Sequence, residues 1–348
     1  MKRRDFVCAS VLLACLASAA PAGPPDAPGR RVVRKVEVGG EGGWDYLTFD
    51  SASRRLYIPR STRVMVFDAD TLAVVGEVSN ANTTGVHGVA IAPELSRGFT
   101  SNGRSNTVTI FDTKTLKTIA DVKVTGENPD AILYDPATKR VFAFNGRTAN
   151  ATVIEAATGE VAGTIALDGK PEFAASDLAG HVFVNIEDKS IVTSIDAKKL
   201  TVESRWPLLP CEEPSGLAID REHKRLFAGC HNKLMAVMDS ASGKVVATVP
   251  IGEGVDANAF DPGTGLAYAS CGDGTLTIAK AEASGKDSFK VVETVATQQG
   301  ARTMALDEKT HTIVLAAAQF GPPPSPTPDN PRPRRTMVPG SFVLLVVR

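Results

Sequence analysis

Ionisable side chains recur along this chain at a regular interval that could bring them together in the folded protein. Seven positions follow one another in steps of 41 to 46 residues, and most of them, or a residue just before, can carry a charge. The ring that they would form consists of Asp45, His87 with Gly88, Asp130, Glu172, Glu213 with Ser215, Asp256 and Arg302. Carboxylates converging on one axis repel one another unless a bound cation, a protonated partner or Arg302 offsets them. A wet polar ring without a ligand is the alternative.

A second set of side chains follows the first at the same interval. It consists of Arg60, Asn102, Asn145, Asn185, Cys230 and Cys271. Carboxylate and amide oxygens around one axis are the ligands that Ca²⁺ prefers, and they would also suit a polyhydroxylated or cationic small molecule. Asn residues here have another explanation, because Asn also caps tight turns. Trp44, beside Asp45, is either a stacking platform for a ligand or a packing residue.

A repeat that runs the length of the chain must position these side chains. The full pattern is an apolar strand, an Asp-centred turn, Arg or Lys, and an aromatic residue that opens a second strand; two copies, with Pro93 and Asp177 at the turn, follow it more weakly. The turns fall at Asp50, Pro93, Asp135, Asp177, Asp220, Asp261 and Asp307. We interpret the turn acids as backbone caps. Seven copies at this period, each with two further short strands, predict an all-β, seven-bladed β-propeller of four-stranded antiparallel blades over residues 32–348.

The ends of the chain indicate how such a ring would close. The seventh copy supplies three strands, of which the last is Ser341 to Val347, and an unassigned strand, Val32 to Val38, precedes the first copy. We expect the N-terminal strand to complete the last blade, because that pairing removes an exposed edge.

Tetrapeptides at the start of the second strands carry a family resemblance. They are Tyr57-Ile58-Pro59-Arg60, Phe99-Thr100-Ser101-Asn102, Phe142-Ala143-Phe144-Asn145, Phe227-Ala228-Gly229-Cys230 and Tyr268-Ala269-Ser270-Cys271. They resemble the signature of the YVTN-repeat β-propellers, an exported bacterial family, and the resemblance covers about residues 32–348. It implies the fold and a WD40-like repeat, but that family is functionally mixed, so no single activity follows.

The first residues are typical of an export signal. Lys2-Arg3-Arg4 precedes an apolar stretch, Phe6 to Leu16, and small residues follow, so we interpret residues 1–22 as a signal peptide and 23–31 as a Pro/Gly-rich linker. The two arginines also resemble a twin-arginine signal, and Cys15 is a candidate lipid anchor. The protein is therefore expected in the periplasm or outside the cell, as a monomer without a transmembrane segment.

Three cysteines remain beyond the leader: Cys211, Cys230 and Cys271. In an oxidising compartment at most one pair can form, and we expect Cys211 to pair with Cys230 because both flank the inner strands of the fifth blade. The neighbouring Glu212, Glu213 and Pro214 would form a rigid acidic corner.

A Pro-rich loop, residues 321–340, interrupts the seventh blade and contains Arg332, Arg334 and Arg335. It either folds over the acidic rim as a lid, with its arginines toward the acids, or remains a solvated loop.

Two classes of function remain open. The net charge of −1 and the absence of a basic tract argue against nucleic acid as a partner. We favour an exported binding or scaffold protein that presents its acidic rim to a small-molecule ligand or a protein partner. The alternative is a metal-dependent hydrolase or lyase, such as a lactonase, that uses a divalent cation of the calcium type as a Lewis acid. Its candidate ligands are Asp130, Glu172, Asn145, Asn185 and Asp256, with His87 as a candidate base.

Overall fold

Short apolar strands separated by Asp-centred turns form the repeating unit of the structure. The computed structural model describes residues 29–80, 82–283, 285–325, 327 and 335–348. The predicted signal peptide, the start of the linker, Arg332 and Arg334 lie outside the described residues. In the part that is described, no helix is long and apolar enough to cross a membrane.

Twenty-eight strands and two short 3₁₀ helices are present among the described residues. The chain begins with β1 (Val32–Glu37). The first blade contains β2 (Thr48–Asp50), β3 (Arg55–Pro59), β4 (Val64–Asp68) and β5 (Val74–Val78). The second contains β6 (Val86–Ala92), the 3₁₀ helix Pro93–Leu95, β7 (Arg97–Asn102), β8 (Thr107–Asp112) and β9 (Thr118–Lys123). The third contains β10 (Pro129–Asp135), β11 (Arg140–Asn145), β12 (Asn150–Glu155) and β13 (Val161–Ala166).

The remaining blades follow the same order. The fourth contains β14 (Pro171–Ser176), β15 (His181–Ile186), the 3₁₀ helix Glu187–Lys189, β16 (Ile191–Asp196) and β17 (Thr201–Pro207). The fifth contains β18 (Pro214–Asp220), β19 (Arg225–Cys230), β20 (Leu234–Asp239) and β21 (Val245–Pro250). The sixth contains β22 (Val255–Asp261), β23 (Leu266–Cys271), β24 (Thr275–Glu282) and β25 (Gly285–Ala296). The seventh contains β26 (Thr303–Asp307), β27 (Thr312–Ala317) and β28 (Val343–Val347).

The strands form seven four-stranded antiparallel sheets, and these sheets form a ring. The first strands of successive blades contact one another from β2 round to β26, and β26 contacts β2. The predicted seven-bladed β-propeller is therefore confirmed. In the seventh blade the fourth strand is β1, which pairs with β28, as in Val36 with Leu344.

The hydrophobic core is divided into clusters that lie between adjacent blades. In one of them Phe142 and Val153 of the third blade pack against Val184 and Ile195 of the fourth, and all four are fully buried. The aromatic residue that opens each second strand is buried as well, at Tyr57, Phe99, Phe142, Phe183, Phe227 and Tyr268. Burial of a ring of this size contributes a few kcal/mol, so the clusters hold neighbouring blades in fixed positions.

The turn acids occupy the rim opposite the predicted site. Asp50 Oδ1 accepts hydrogen bonds from the backbone N–H groups of Ala52 and Ser53, and Asp135 Oδ2 accepts one from Thr138. Asp220, Asp261 and Asp307 cap their turns in the same way. These contacts agree with the interpretation of the repeated Asp as a backbone cap.

Candidate functional site

In five of the inner strands a backbone irregularity occurs at the residue that was predicted to lie at the channel mouth. In β6, β10, β14, β18 and β22 the register with the second strand shifts between Val86 and Val89, Pro129 and Ile132, Pro171 and Ala174, Pro214 and Leu217, and Val255 and Ala257. Each shift is a β-bulge that contains the predicted channel-mouth residue. A bulge breaks the alternation of side chains and turns one of them away from the sheet face.

Four carboxylates converge at this end of the channel: Asp45, Asp130, Glu172 and Asp256. They influence one another electrostatically, and their side chains are only 31%, 16%, 13% and 16% exposed. His87 lies among them, with Nδ1 2.7 Å from Asp45 Oδ2 and 3.4 Å from Asp130 Oδ1. We call these five residues the acidic cup.

Positive groups offset only part of this charge. Lys170 Nζ lies 2.6 Å from Glu172 Oε1 but also pairs with Glu187, so one ammonium serves two carboxylates. Arg302 Nε is 3.6 Å from Asp256 Oδ2, and its side chain is 59% exposed. Asp256 Oδ2 is buried and accepts no hydrogen bond from the described residues. The cup therefore has more acceptors than the protein itself satisfies.

The pKa values follow from this crowding. Burial, reinforced by the charge of Asp45, raises the pKa of Asp130 to about 6 against the pull of His87. Burial and the charge of Asp130 raise the pKa of Glu172 to about 7. The pKa values of Asp45 and Asp256 are also raised, mainly by burial. Burial lowers the pKa of His87, but the bond to Asp45 and the charge of Asp130 outweigh it and leave the pKa raised.

The floor of the cup consists of two aromatic rings that the sequence analysis missed. Tyr46 of the first blade and Phe173 of the fourth have ring centroids 4.3 Å apart. The two blades are not neighbours, so the rings meet across the channel. The Tyr46 hydroxyl donates to Glu172 Oε2 at 3.3 Å, and burial among the carboxylates raises its pKa well above the usual value.

A signal for this floor exists in the repeat. The residues that follow the channel-mouth positions are mostly small or aliphatic, and only Tyr46 and Phe173 among them are aromatic. Their size is what lets side chains from distant blades touch. The far rim has a cavity of about 520 Å³, whose lining combines apolar residues such as Phe49 and Leu306 with polar residues such as Asp50 and Glu308.

Two of the predicted Asn ligands belong to their own blades and not to the cup. Asn102 and Asn145 are fully buried at the ends of β7 and β11. The Asn102 amide donates to Thr107 and Thr109, and the Asn145 amide donates to Asn150 and Thr152. They brace the hairpins that follow, which agrees with the turn-capping alternative and removes them from the predicted ligand ring.

Asn185 is out of register with the other two and has a different role. It pairs with Val192, one position before the end of β15, and its amide donates to the carbonyl oxygens of Ser215 and Gly216 at 2.9 and 3.0 Å. Ser101 and Ser270, at the matching register, donate to the Asp130 and Arg302 carbonyls of the next blade. Asn185 therefore supports the adjacent bulge, while its Oδ1 is buried without a partner.

Arg60, also predicted for the second set, points away from the cup. It is fully buried, donates to the carbonyl oxygens of Gly39, Glu41 and Gly42, and lies over the ring of Phe342. Its role is to fasten the segment that leads into the first blade.

Trp44 packs against other side chains of the rim. Its Nε1 donates to Thr303 Oγ1 at 2.8 Å, and its ring contacts Phe342 and Phe320, with centroids 5.1 and 6.1 Å away. These contacts favour the packing alternative over a platform for a ligand.

The acidic corner of the fifth blade lies outside the cup. Cys211 and Cys230, the predicted pair, form a disulfide with Cα atoms 5.7 Å apart, and Cys271 is a free, buried thiol. Glu213 is 65% exposed, and its carboxylate is 3.4 Å from His231 Nδ1. It is therefore a residue of the outer rim.

The Pro-rich loop leaves the seventh blade as a short hairpin. Phe320 is bridged to Met337, and the Gly321 N–H donates to the Thr336 carbonyl. Arg335 lines a cavity of about 600 Å³ on this rim together with Gln298, Gln299 and Phe320. The predicted lid over the acids stays a prediction, because Arg332 and Arg334 lie outside the described residues.

Comparison with known proteins gives the class of the fold. No family model and no curated protein matches the chain. A chain of the solved structure described as "Crystal Structure of Mitotic Checkpoint Complex" is similar with a TM-score of 0.75 and 15% identity, over 97% of this chain and 98% of that one. A chain of "Structure of U3-55K" is similar with a TM-score of 0.71 and 10% identity, over 92% and 99%. Both are WD40-type propellers, and at these identities the likeness establishes the fold alone.

Proposed function

We propose that this chain is an exported binding protein whose acidic cup takes a positively charged ligand, either a small molecule or a cationic group on a protein partner. The observation that carries the proposal is the convergence of four largely buried carboxylates at one end of the channel, beside the Tyr46 and Phe173 rings. Holding like charges together in a partly desolvated site costs stability, and a bound cation recovers that cost. Propeller folds commonly bind partners through a rim, and the rigid blades suit that role.

A cationic ligand fits the cup better than the other classes of ligand considered. The carboxylates repel phosphates, which argues against nucleic acid. The floor, Tyr46 and Phe173, offers aromatic surface for an organic cation such as an amine with an alkyl chain. The guanidinium of Arg302, beside Asp256, is exposed and can pair with a negative group of a ligand, so a zwitterionic ligand also fits the cup.

The alternative is a metal-dependent hydrolase or lyase at the same place. It is favoured by one observation, the approach of His87 to Asp45 and Asp130, because a carboxylate and imidazole set can hold a divalent cation. In that case Glu172, whose pKa is near neutrality, and the Tyr46 hydroxyl would be the groups available for proton transfer. Lactone and lyase substrates would be the first classes to screen.

Calorimetric titration with spermidine and with a Lys-rich peptide tests the proposed function. We expect micromolar or tighter binding to the unmodified protein and at least tenfold weaker binding to the D130N/E172Q double variant, because two of the four cup carboxylates lose their charge. The matched control is E127Q/E212Q, which removes the same charge from exposed acids of the same rim.

The control variant decides how the result is interpreted. Unchanged binding by E127Q/E212Q would assign the ligand to the cup. An equal loss in both variants, or no binding by the unmodified protein, would contradict the proposal.

A further inference from the structure

We propose that Asp45, His87 and Asp130 form a three-ligand site for a divalent transition-metal ion. The inference rests on the proposed function, since it names the cation that one side of the acidic cup would take. One ligand atom from each residue lies within 4.8 Å of the other two. The three residues come from the first, second and third blades, which are consecutive in the ring.

The distances are close to those of a metal centre. In a tetrahedral zinc site, with bonds of about 2.0–2.1 Å, ligand atoms are about 3.4 Å apart. His87 Nδ1 and Asp130 Oδ1 are already 3.4 Å apart. His87 Nδ1 and Asp45 Oδ2 are 2.7 Å apart, as a hydrogen-bonded pair, and a small rotation of the Asp45 carboxylate, which is 31% exposed, would open this distance.

The backbone holds two of these ligands in place. Ser101 Oγ accepts the N–H of Gly88, next to His87, and donates to the Asp130 carbonyl, so one hydroxyl links both bulges. A Cβ on Gly103 would lie 2.8 Å from His87 Nε2, so the imidazole occupies space that only glycine leaves free. Ligands on bulges that are supported in this way are pre-organised for a metal ion.

The composition of the set favours a transition metal over calcium. Ca²⁺ takes six to eight oxygen ligands, whereas the imidazole supplies nitrogen. Asn102 and Asn145, whose amide oxygens were expected to complete a calcium site, are held within their own hairpins by hydrogen bonds that their amide nitrogens donate. An imidazole with two carboxylates suits Zn²⁺, Mn²⁺, Co²⁺ or Ni²⁺ and leaves positions open for a further ligand.

One carboxylate oxygen elsewhere in the cup lacks a hydrogen bond. Asp256 Oδ2 is buried and accepts no hydrogen bond from the described residues, although Arg302 is at ion-pair distance. Buried carboxylate oxygens are normally satisfied. Beyond the three metal ligands, the cup therefore keeps an acceptor that a further ligand of the metal ion could use.

The test is calorimetric titration of metal-free protein with Zn²⁺, Mn²⁺ and Ca²⁺, together with the electron paramagnetic resonance spectrum of bound Cu²⁺. We expect about one site per chain, Zn²⁺ bound at least 100-fold more tightly than Ca²⁺, and ¹⁴N coupling from one imidazole. D45N and H87Q should each weaken Zn²⁺ binding by tenfold or more. H87Q should also abolish the nitrogen coupling.

Two matched controls keep the proposal falsifiable. E127Q removes a charge of the same kind from an exposed acid of the same rim, outside the cup, and H231Q removes an exposed His of that rim; both should retain Zn²⁺ affinity within threefold. A loss in E127Q as large as that in D45N, or Ca²⁺ affinity equal to that for Zn²⁺, would overturn the inference. Circular dichroism of each variant verifies that it is folded.

The outcome for the proposed function is separate. If no metal binds but spermidine or the peptide binds to the cup, the metal site is wrong and the proposed function stands. If none of the probes binds, both are wrong.

Discussion

Two carboxyl groups of the cup change between their neutral and charged forms near neutral pH. The pKa of Asp130 is about 6 and that of Glu172 about 7. Burial raises both values, and the charge of Asp45 adds to the first and the charge of Asp130 to the second. Because the carboxylates repel one another, their protons leave in successive steps, and the negative charge of the cup grows over a broad pH range. The cup is therefore strongly acidic only above neutrality.

The pH dependence of stability follows from these shifts. A carboxyl group whose pKa is higher in the folded state binds more protons there than in the unfolded chain, so its contribution is present below about pH 4 and is lost as the pH rises through 6 to 7. We expect the free energy of unfolding to fall between pH 5 and 8 by on the order of 3 kcal/mol more in the unmodified protein than in D130N/E172Q. Urea denaturation at a series of pH values measures the difference. Parallel curves for the two proteins would show that these carboxyls are not perturbed.

The bulges of the inner strands determine where each blade places its charged residue of the cup. Each bulge puts two consecutive residues of the inner strand where an unbroken strand would have one, and polar side chains of the second strand hold the neighbouring bulge. This is why charged groups from different blades meet at fixed distances.

Ser101 tests this arrangement, because it bonds to two bulges at once. We expect S101A to lower the free energy of unfolding by about 1–3 kcal/mol, since the Gly88 N–H and the Asp130 carbonyl lose a partner. It should also weaken cation binding by the cup, because Asp130 and His87 are no longer held. S105A, a change of the same kind at a partly exposed hydroxyl of the following turn, is the control. Equal effects of the two substitutions on binding would rule out a positioning role for Ser101.

The register of the second strands explains which predictions failed at this scale. The repeat placed Asp130, Glu172 and Asp256 on inner strands, because the interval between the turns is nearly constant, whereas Glu213 of the same set lies on the outer rim. It could not predict that Asn102 and Asn145 turn into their own hairpins while Asn185, one position earlier in register, reaches the next blade. A shift of one residue reverses the face of a strand, and a sequence pattern does not resolve it.

Lys170 and Glu187 were missed for a related reason. Lys170 directly precedes β14 and Glu187 begins a 3₁₀ helix, and neither position was part of the repeat pattern.

At the scale of the whole molecule, the fold could be predicted because the blades share one pattern. Six of the seven turns carry Asp and six of the seven second strands carry a buried aromatic residue, so the copies support one conclusion. Tyr46 and Phe173 occupy equivalent positions of the repeat, but their contact could not be predicted, because the spacing does not show that side chains of blades that are not neighbours reach each other.

Export is a prediction about the whole chain, and the disulfide supports it. A bond between Cys211 and Cys230 is typical of an oxidising compartment. Intact-mass analysis of protein recovered from the periplasm should give a chain that lacks about the first 22 residues, Cys15 included, and is 2 Da lighter than its reduced form. In the unfolded protein, alkylation without a reductant should label Cys271, and reduction should add Cys211 and Cys230 as two further labelled sites. A full-length mass, or a lipid-modified Cys15, would contradict cleavage at this site.

The contact between Tyr46 and Phe173 joins two blades that are not neighbours. The first and fourth blades are therefore linked directly across the channel as well as through the blades that lie between them in the ring. A ligand that rests on these two rings would touch both blades at once, so its binding would tie together parts of the ring that the sheets alone connect only at a distance.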